Sequence, residues 1–371
     1  MMTATVSADH VIDATGDTGA GWLRIEAGIV RERGAGTPPP DARLVHVDVL
    51  GPGLVDTHVH GARGLDFAAP GTDPSPALDL HRATGATTLI ASLATSAPET
   101  LLTRIAELRP LVREGALAGL HLEGPWLSPA RRGAHRPDLL RAPHPREIDR
   151  VLAAGEGIVR MVTLAPELPR ALDAVERFVA AGVTVALGHS AADVDTARRA
   201  MDAGASVVTH LFNGMPSMLA REPGLAGAAL SHPDVYVELI ADGIHVSDTV
   251  IDVVFAAAAG RVSLVSDAMA AAGLGDGRYD LAGSEIAVAD GVARLADGSS
   301  LAGSTMPLGA SVARLLARGL PAAPVVLAAS LTPARAVGLD VAALRVGDAA
   351  DLIAVSDGLV RTMKGGAWLT Y

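Results

Sequence analysis

The sequence contains no cysteine. That absence excludes disulfides, thiolate zinc sites, iron–sulfur clusters and thiol nucleophiles. Lysine is almost as scarce: Lys364 is the only one in 371 residues. Its position near the C-terminus excludes a P-loop lysine, a Schiff-base lysine and a carboxylated-lysine metal bridge. Arginine carries the positive charge and falls short of the acids. The 30 Lys+Arg against 41 Asp+Glu leave a formal net charge of −11, which argues against a nucleic-acid partner. The one basic segment, ARRGAHRPDLLRAPHPR, has no aromatic side chain on which a base could stack. No long uncharged apolar stretch reads as a membrane span. The opening segment MMTATVSADHVIDATGD lacks the basic and apolar regions of a secretion signal. The expectation is a cytoplasmic protein with no membrane partner.

What is present is a hydrophobic fraction of 49%, enough for one large domain with an accessory, or for two domains. Both ends of the chain read as short strands with turns, as in WLRIEAGIVRE, LVHVDVL and DLIAVSDGLVRTMKGG. Between them, apolar runs alternate with segments of helical period. The runs are GLVDTHV (53–59), TTLIASL (87–93), AGLHLE (118–123), VRMVTLA (159–165), VTVALGH (183–189), ASVVTH (205–210), VYVELIA (235–241) and VSLVSD (262–267). Helical segments such as 192–204 and 250–260 fill the gaps. Eight strands with intervening helices predict an α/β fold, a (β/α)8 barrel, with an open doubly wound sheet as the structural alternative. The barrel is expected over 51–339, with a β-hairpin insertion near 281–303 and a smaller domain from 1–50 plus 340–371. GLGDGR (273–278) lacks the glycine spacing of a dinucleotide fingerprint and reads as a flexible loop.

The polar residues fall at the ends of these runs. In a strand, residues i and i+2 share a face, so His58 and His60 present two imidazoles side by side. Glu123 ends the third run, His189 the fifth and His210 the sixth. His245 follows the seventh, and Asp267 ends the eighth. In a barrel all these ends meet at one rim. Imidazole and carboxylate donors suit a divalent metal such as zinc or ferrous iron. The pattern predicts His58 and His60 on one ion, His189 and His210 on a second, and Glu123 as a bridge. Asp267, across the barrel, is placed as a base. Whether one ion or two is held stays open at this level. His10, His46, His81, His121, His144 and His232 read as structural or surface residues, with His121 the nearest to the site because it shares a face with Glu123.

At these positions the chain resembles the N-acetylglucosamine-6-phosphate deacetylases of the metal-dependent amidohydrolase superfamily. The stretches that carry the resemblance are PGLVDTHVHG, HLEGPWLSPARRGAH, GHSAAD, THLFNGMPSMLAREPGLAG, ADGIHV and LVSDAMAAAG, within residues 52 to about 304. The resemblance implies a (β/α)8 barrel with a small β-sandwich built from both chain ends, and a homodimer. It implies hydrolysis of the acetamide of a phosphorylated amino sugar, with Asp267 as base and then acid. It assigns His135 to polarising the acetyl carbonyl. Arg221, Asn213, the backbone N–H groups around Gly214, and His245 are implied as sugar-phosphate contacts, the arginine reaching across the dimer. Gly214 is a mild departure, since alanine is common there. Alternatives are another amino-sugar phosphate, such as N-acetylgalactosamine 6-phosphate, a cyclic-amide hydrolase, or a non-catalytic scaffold. The missing lysine bridge counts against the cyclic-amide reading, and the filled ligand positions count against the scaffold.

Overall fold

The computed structural model describes residues 3–40 and 44–370. Met1, Met2, Asp41, Ala42, Arg43 and Tyr371, which belong to the segments expected to form the terminal β domain, lie outside the described residues.

Each of the eight apolar runs coincides with a strand. They are Leu54–Val59, Ala86–Ala94, Gly119–Glu123, Val159–Leu164, Thr184–Leu187, Val207–Val208, Tyr236–Ile240 and Val262–Val265, referred to below as the first to eighth barrel strands. They form one sheet in sequential order, and the six pairings from the second strand to the eighth are parallel. Every residue of the first and third strands is buried. Parallel sheets covered on both faces read this way, as unbroken apolar runs rather than as alternation. Hydrogen bonds close the ring at one end. The Asp267 N–H donates to the His58 carbonyl at 2.9 Å, and the His60 N–H donates to the Ala268 carbonyl at 2.7 Å. The eighth strand's exit is thereby fastened to the first strand's exit, and the barrel architecture is the one the sequence predicts.

A helix follows each strand. Those within the barrel's turns show clear local causes. Pro98–Arg113 opens with proline at its first turn, where the missing N–H is not needed. Val194–Asp202 is capped by Asp193, whose carboxylate accepts the Thr196 N–H at 2.8 Å.

Residues 277–295 differ from the expected single hairpin. They form a three-stranded antiparallel meander, Gly277–Leu281, Ser284–Ala289 and Val292–Leu295. The first of these strands takes in the end of the segment read as a loop. Its glycine and aspartate content hides it, while Leu281 is buried and Tyr279 half-buried against the same small core. Two-residue turns join the strands. Ala282–Gly283 and Asp290–Gly291 all have positive φ, as tight hairpins require.

The chain ends form a second sheet of eight strands, in which Thr3–Asp13 lies between Leu44–Pro52 and Gly21–Glu26. The pairing with Leu44–Pro52 is parallel, whereas that with Gly21–Glu26 is antiparallel. In Gly21–Glu26, Gly21, Leu23 and Ile25 are buried and the residues between are half-buried, the alternation of a one-faced strand. The sheet folds over on itself: Ile29 bridges to Ala349, and its core joins Val6, Leu23, Ile25 and Val30 to Leu352, Ala354 and Met363. Two compact units emerge. One comprises residues 1–56, 79–88 and 307–371, and the other 57–78 and 89–306. The first unit therefore includes the helices Leu308–Ala317, Ala322–Ala328 and Leu331–Ala336 in addition to the terminal strands.

Within the larger unit, Trp126 and Phe178 are fully buried with ring centroids 5.3 Å apart. Phe178→Ala is expected to lower unfolding free energy by about 3–5 kcal/mol through lost burial and a residual cavity. Denaturant unfolding curves for the two proteins check this; a shift under about 1 kcal/mol would place Phe178 outside the cooperative core.

Candidate active site

Six strand exits deliver the polar residues to one rim, and all of them belong to the larger compact unit. Glu123 sits at the centre. Its Oε1 lies 3.3 Å from His58 Nε2 and 3.2 Å from both His189 Nε2 and His210 Nε2. Its Oε2 lies 3.2 Å from His60 Nε2 and 3.2 Å from His135 Nε2. Asp267 Oδ1 is 3.2 Å from His60 Nε2 and 3.5 Å from His58 Nε2. All seven side chains are buried.

Two sets of donor atoms are close enough to share an ion: His58, His60 and Asp267, and Glu123, His189 and His210. The backbone is bent to achieve this. His189, His210 and Asp267 have φ of +46°, +29° and +48°, a region that non-glycine residues seldom occupy. Strain of this kind is tolerated where the surroundings over-determine it, and it gathers at functional sites. Gly214 has φ +58°, and a Cβ there would lie 2.9 Å from His189 Nδ1. A glycine at 214 therefore leaves room for the His189 ring.

The chemistry of the donors fits a divalent cation. His210 Nε2 and His189 Nε2 approach to 3.0 Å, and His58 Nε2 and His60 Nε2 to 3.2 Å. Ring nitrogens facing one another and a carboxylate present a pocket of lone pairs. His189 Nδ1 donates to the Arg131 carbonyl at 2.9 Å, which in the neutral ring leaves Nε2 free of hydrogen. Electrostatics agree. Burial opposes charge on His58, yet Glu123, Glu238 and Asp267 outweigh it and hold its pKa well above the usual value. His60 is likewise raised to about 9, against its burial, by hydrogen bonds to Asp267 and Glu123. Glu123 is held well below the carboxylate range and Asp267 at about 2, because neighbouring imidazoles overcome their burial. These carboxylates demand positive charge, which a cation supplies in place of protons.

His135 stands outside both donor sets. Burial outweighs Glu123 and lowers its pKa to about 4, so the ring is neutral at pH 7. Its Nδ1 accepts the Thr95 N–H at 3.4 Å, which puts the hydrogen on Nε2, facing the cluster. His135 is thus a donor into the site.

Asn213, Gly214 and His245 line the same cavity, with Phe212, Leu281, Ser300 and Leu301. The Asn213 amide donates to the carbonyls of His210 and Leu211, at 3.2 and 3.3 Å, and shapes the loop. His245 Nδ1 is 2.7 Å from Asp242 Oδ2, and this pairing raises its pKa against burial. The predicted contact Arg221 is not brought to the cavity; it is exposed on the loop before the helix Gly224–Ser231. Two residues were missed by sequence reasoning. Glu238 contacts His58, and its only signal was an acid inside an apolar run. Asp242 holds His245 three residues on, a spacing visible in ADGIH. His121 packs edge-on against His58 at 4.6 Å and is held by Ser92 and Thr163, so it backs the ligands without joining them.

Removal of the central carboxylate is expected to weaken metal binding, most of all at the Glu123–His189–His210 set. Glu123→Ala, loaded with zinc and passed through a desalting column, should retain far less metal than the unaltered protein by elemental analysis. Retention of equal metal would show that the carboxylate is not a ligand.

The Amidohydrolase family model matches residues 49–369. The N-acetylgalactosamine-6-phosphate deacetylase of Escherichia coli O157:H7 is 38% identical over 359 residues, spanning 92% of this chain and 93% of its own. The N-acetylglucosamine-6-phosphate deacetylase of Vibrio furnissii is 35% identical, over 84% of this chain and 79% of its own. Among solved structures, N-acetyl-D-glucosamine-6-phosphate deacetylase from Mycobacterium smegmatis, as a D267A mutant in complex with N-acetyl-D-glucosamine 6-phosphate, superposes with a TM-score of 0.95. It is 44% identical, with 100% of both chains covered. With the family model covering most of its length and relatives above a third identical, the chain belongs to the amidohydrolase family and groups there with the N-acetylglucosamine-6-phosphate deacetylases.

Proposed function

We propose that this enzyme hydrolyses the acetamide of N-acetylglucosamine 6-phosphate, giving glucosamine 6-phosphate and acetate. The observation that carries the reading is the meeting, at one barrel rim, of two metal-ligand groups, an ionised Asp267 and a hydrogen-donating His135. The family's substrate names and the solved relative at 44% identity support the same choice of sugar.

One or two divalent ions, zinc or iron or similar, would be held by Glu123, His189 and His210, and by His58, His60 and Asp267. A divalent ion there supplies a nucleophile at neutral pH, by lowering the pKa of water from 15.7 toward about 7. His135 donates through Nε2 to the acetyl oxygen as charge develops on it. Asp267 takes the proton from the attacking water and delivers it to the sugar nitrogen as the C–N bond breaks. An amine leaves poorly unless protonated, so one carboxylate serves both steps. His245, its pKa raised by Asp242, and the backbone N–H groups near Gly214 meet the sugar phosphate. Arg221, exposed in one chain, serves the site of a second copy in a homodimer, where its planar fork suits a phosphate. The protein works in the cytoplasm, in amino-sugar catabolism or cell-wall recycling. No helix among the described residues is long and apolar enough to cross a membrane.

A second reading, deacetylation of N-acetylgalactosamine 6-phosphate, is favoured by the relative at 38% identity. The two sugars differ only in the orientation of one hydroxyl.

Acetate release from both sugar phosphates and from unphosphorylated N-acetylglucosamine decides between these readings. The expected order places N-acetylglucosamine 6-phosphate first and the unphosphorylated sugar last by a wide margin. No release from any of the three by metal-loaded enzyme would sink the proposal. Asp267→Asn should lose about 10²–10⁴-fold in kcat, while Arg221→Ala should raise KM for the phosphorylated sugar alone. Near-normal turnover in Asp267→Asn would remove it from proton transfer, and an equal loss on both sugars would remove Arg221 from the phosphate.

A further inference from the structure

We propose that Glu238 is a positioning residue that prepares His58 as a metal ligand and thereby sets how tightly the His58–His60–Asp267 group holds its ion. The inference rests on the metal-site reading above and concerns this chain's own residues.

Glu238 lies in the seventh barrel strand between Val237 and Leu239, and only 1% of it is exposed. A carboxylate in such a place needs a partner, since burying one unpaired is very costly. Among the described residues no arginine or lysine supplies one. Oε2 lies 3.0 Å from His58 Nδ1, and Oε1 accepts from the Thr57 hydroxyl at 3.4 Å. Among the described residues these are the side-chain contacts of the group, so its charge is directed at the one ring.

The consequence is a fixed tautomer. An ionised carboxylate has acceptors and no donor, so the hydrogen of a neutral His58 ring resides on Nδ1. Nε2 is left as a bare lone pair, pointing at the space shared with His60 Nε2 and Glu123 Oε1. The ring cannot turn away, because His121 packs edge-on against it with an interplanar angle of 81°. In the other ion group, His189 receives the same treatment from the Arg131 carbonyl. His60 and His210 contrast with both, since their buried Nδ1 atoms meet no hydrogen-bond partner among the described residues. Each group of donors therefore contains one imidazole whose orientation is dictated from behind. For the first group that instruction comes from a full negative charge, which strengthens the ring as a donor when a cation binds.

The test uses metal binding and needs no substrate, so its outcome is independent of which sugar the enzyme accepts. The full-length protein, Glu238→Leu and Glu238→Gln are stripped with a chelator and titrated with Co²⁺. Visible absorption and equilibrium dialysis give the stoichiometry and the dissociation constant of each ion. Circular dichroism establishes that each variant is folded. The expected result is a loss of about 10–100-fold in affinity for one ion in Glu238→Leu, with the other ion unchanged. Glu238→Gln keeps an acceptor oxygen without the charge and should fall between the two. Wild-type affinities for every ion in a folded Glu238→Leu overturn the proposal. Equal weakening of both ions also overturns it, because that is the behaviour of a merely structural residue. If Glu238→Leu does not fold, wild-type affinities in Glu238→Gln overturn it.

Discussion

The site depends on one carboxylate shared among five imidazoles. His58, His60, His135, His189 and His210 all bring Nε2 to 3.2 or 3.3 Å from an oxygen of Glu123. Such a gathering of buried groups is unstable unless the charges are balanced, since desolvation penalises each ion by several kcal/mol. Protons can balance it, at the expense of placing like-charged rings together. A divalent cation balances it better, because the Nε2 lone pairs of His58, His60, His189 and His210 can then point at a positive centre. The arrangement of the rim follows from that requirement. Donors come from several different strands, and His189, His210 and Asp267 adopt left-handed backbone to aim at a common point.

Closure of the barrel and assembly of the site are the same structural event. The hydrogen bonds that fasten the eighth strand's exit to the first involve the backbone of Asp267, His58 and His60. These are also the residues of one ion group. A shift that opened the barrel seam would therefore displace a ligand set with it. The meander at 277–295 is tied to the rim in turn. Both oxygens of buried Asp66 accept backbone N–H groups, one from Ala68 and one from Ala282, each at 2.7 Å. The Ser284 hydroxyl donates to the carbonyl of Ala134, next to His135. The turn that follows Leu281 in the cavity wall is thus tied to Asp66 and to the residue beside His135.

The sequence made much of this legible, for physical reasons. Period-2 geometry placed His58 and His60 on one face, and burial on both sides of a parallel sheet wrote all eight strands as apolar runs. The ligands fall at run ends because that is where a barrel opens. Glu238 was hidden by the same logic: a charge in the middle of a buried strand carries no positional signal until its partner is known. The strand Gly277–Leu281 was hidden by its glycine and aspartate, residues whose local preference is for turns. The exposure of Arg221 was not readable either. REPG says that an arginine precedes a helix start, and nothing in that spacing says which way the loop carries it.

The cavity poses a final electrostatic problem. Its lining contains Glu123 and Asp267, and among the described residues neither arginine nor lysine. The chain as a whole is acidic. In the metal-free site these two carboxylates face His58 and His60, whose pKa values they raise, so the imidazoles offset part of the negative charge that a phosphorylated sugar would meet. Cations in the ligand groups would add further positive charge there. His245, its pKa raised by Asp242, is the one lining imidazole outside the cluster. Metal loading and acceptance of an anionic substrate would then be coupled through the same carboxylates, and by linkage each would favour the other. That coupling gives the rim a second reason to concentrate its acids in the interior. Buried beside the ligands, their charge is cancelled by bound metal, whereas the same acids at the mouth would repel the phosphate whether metal was present or not.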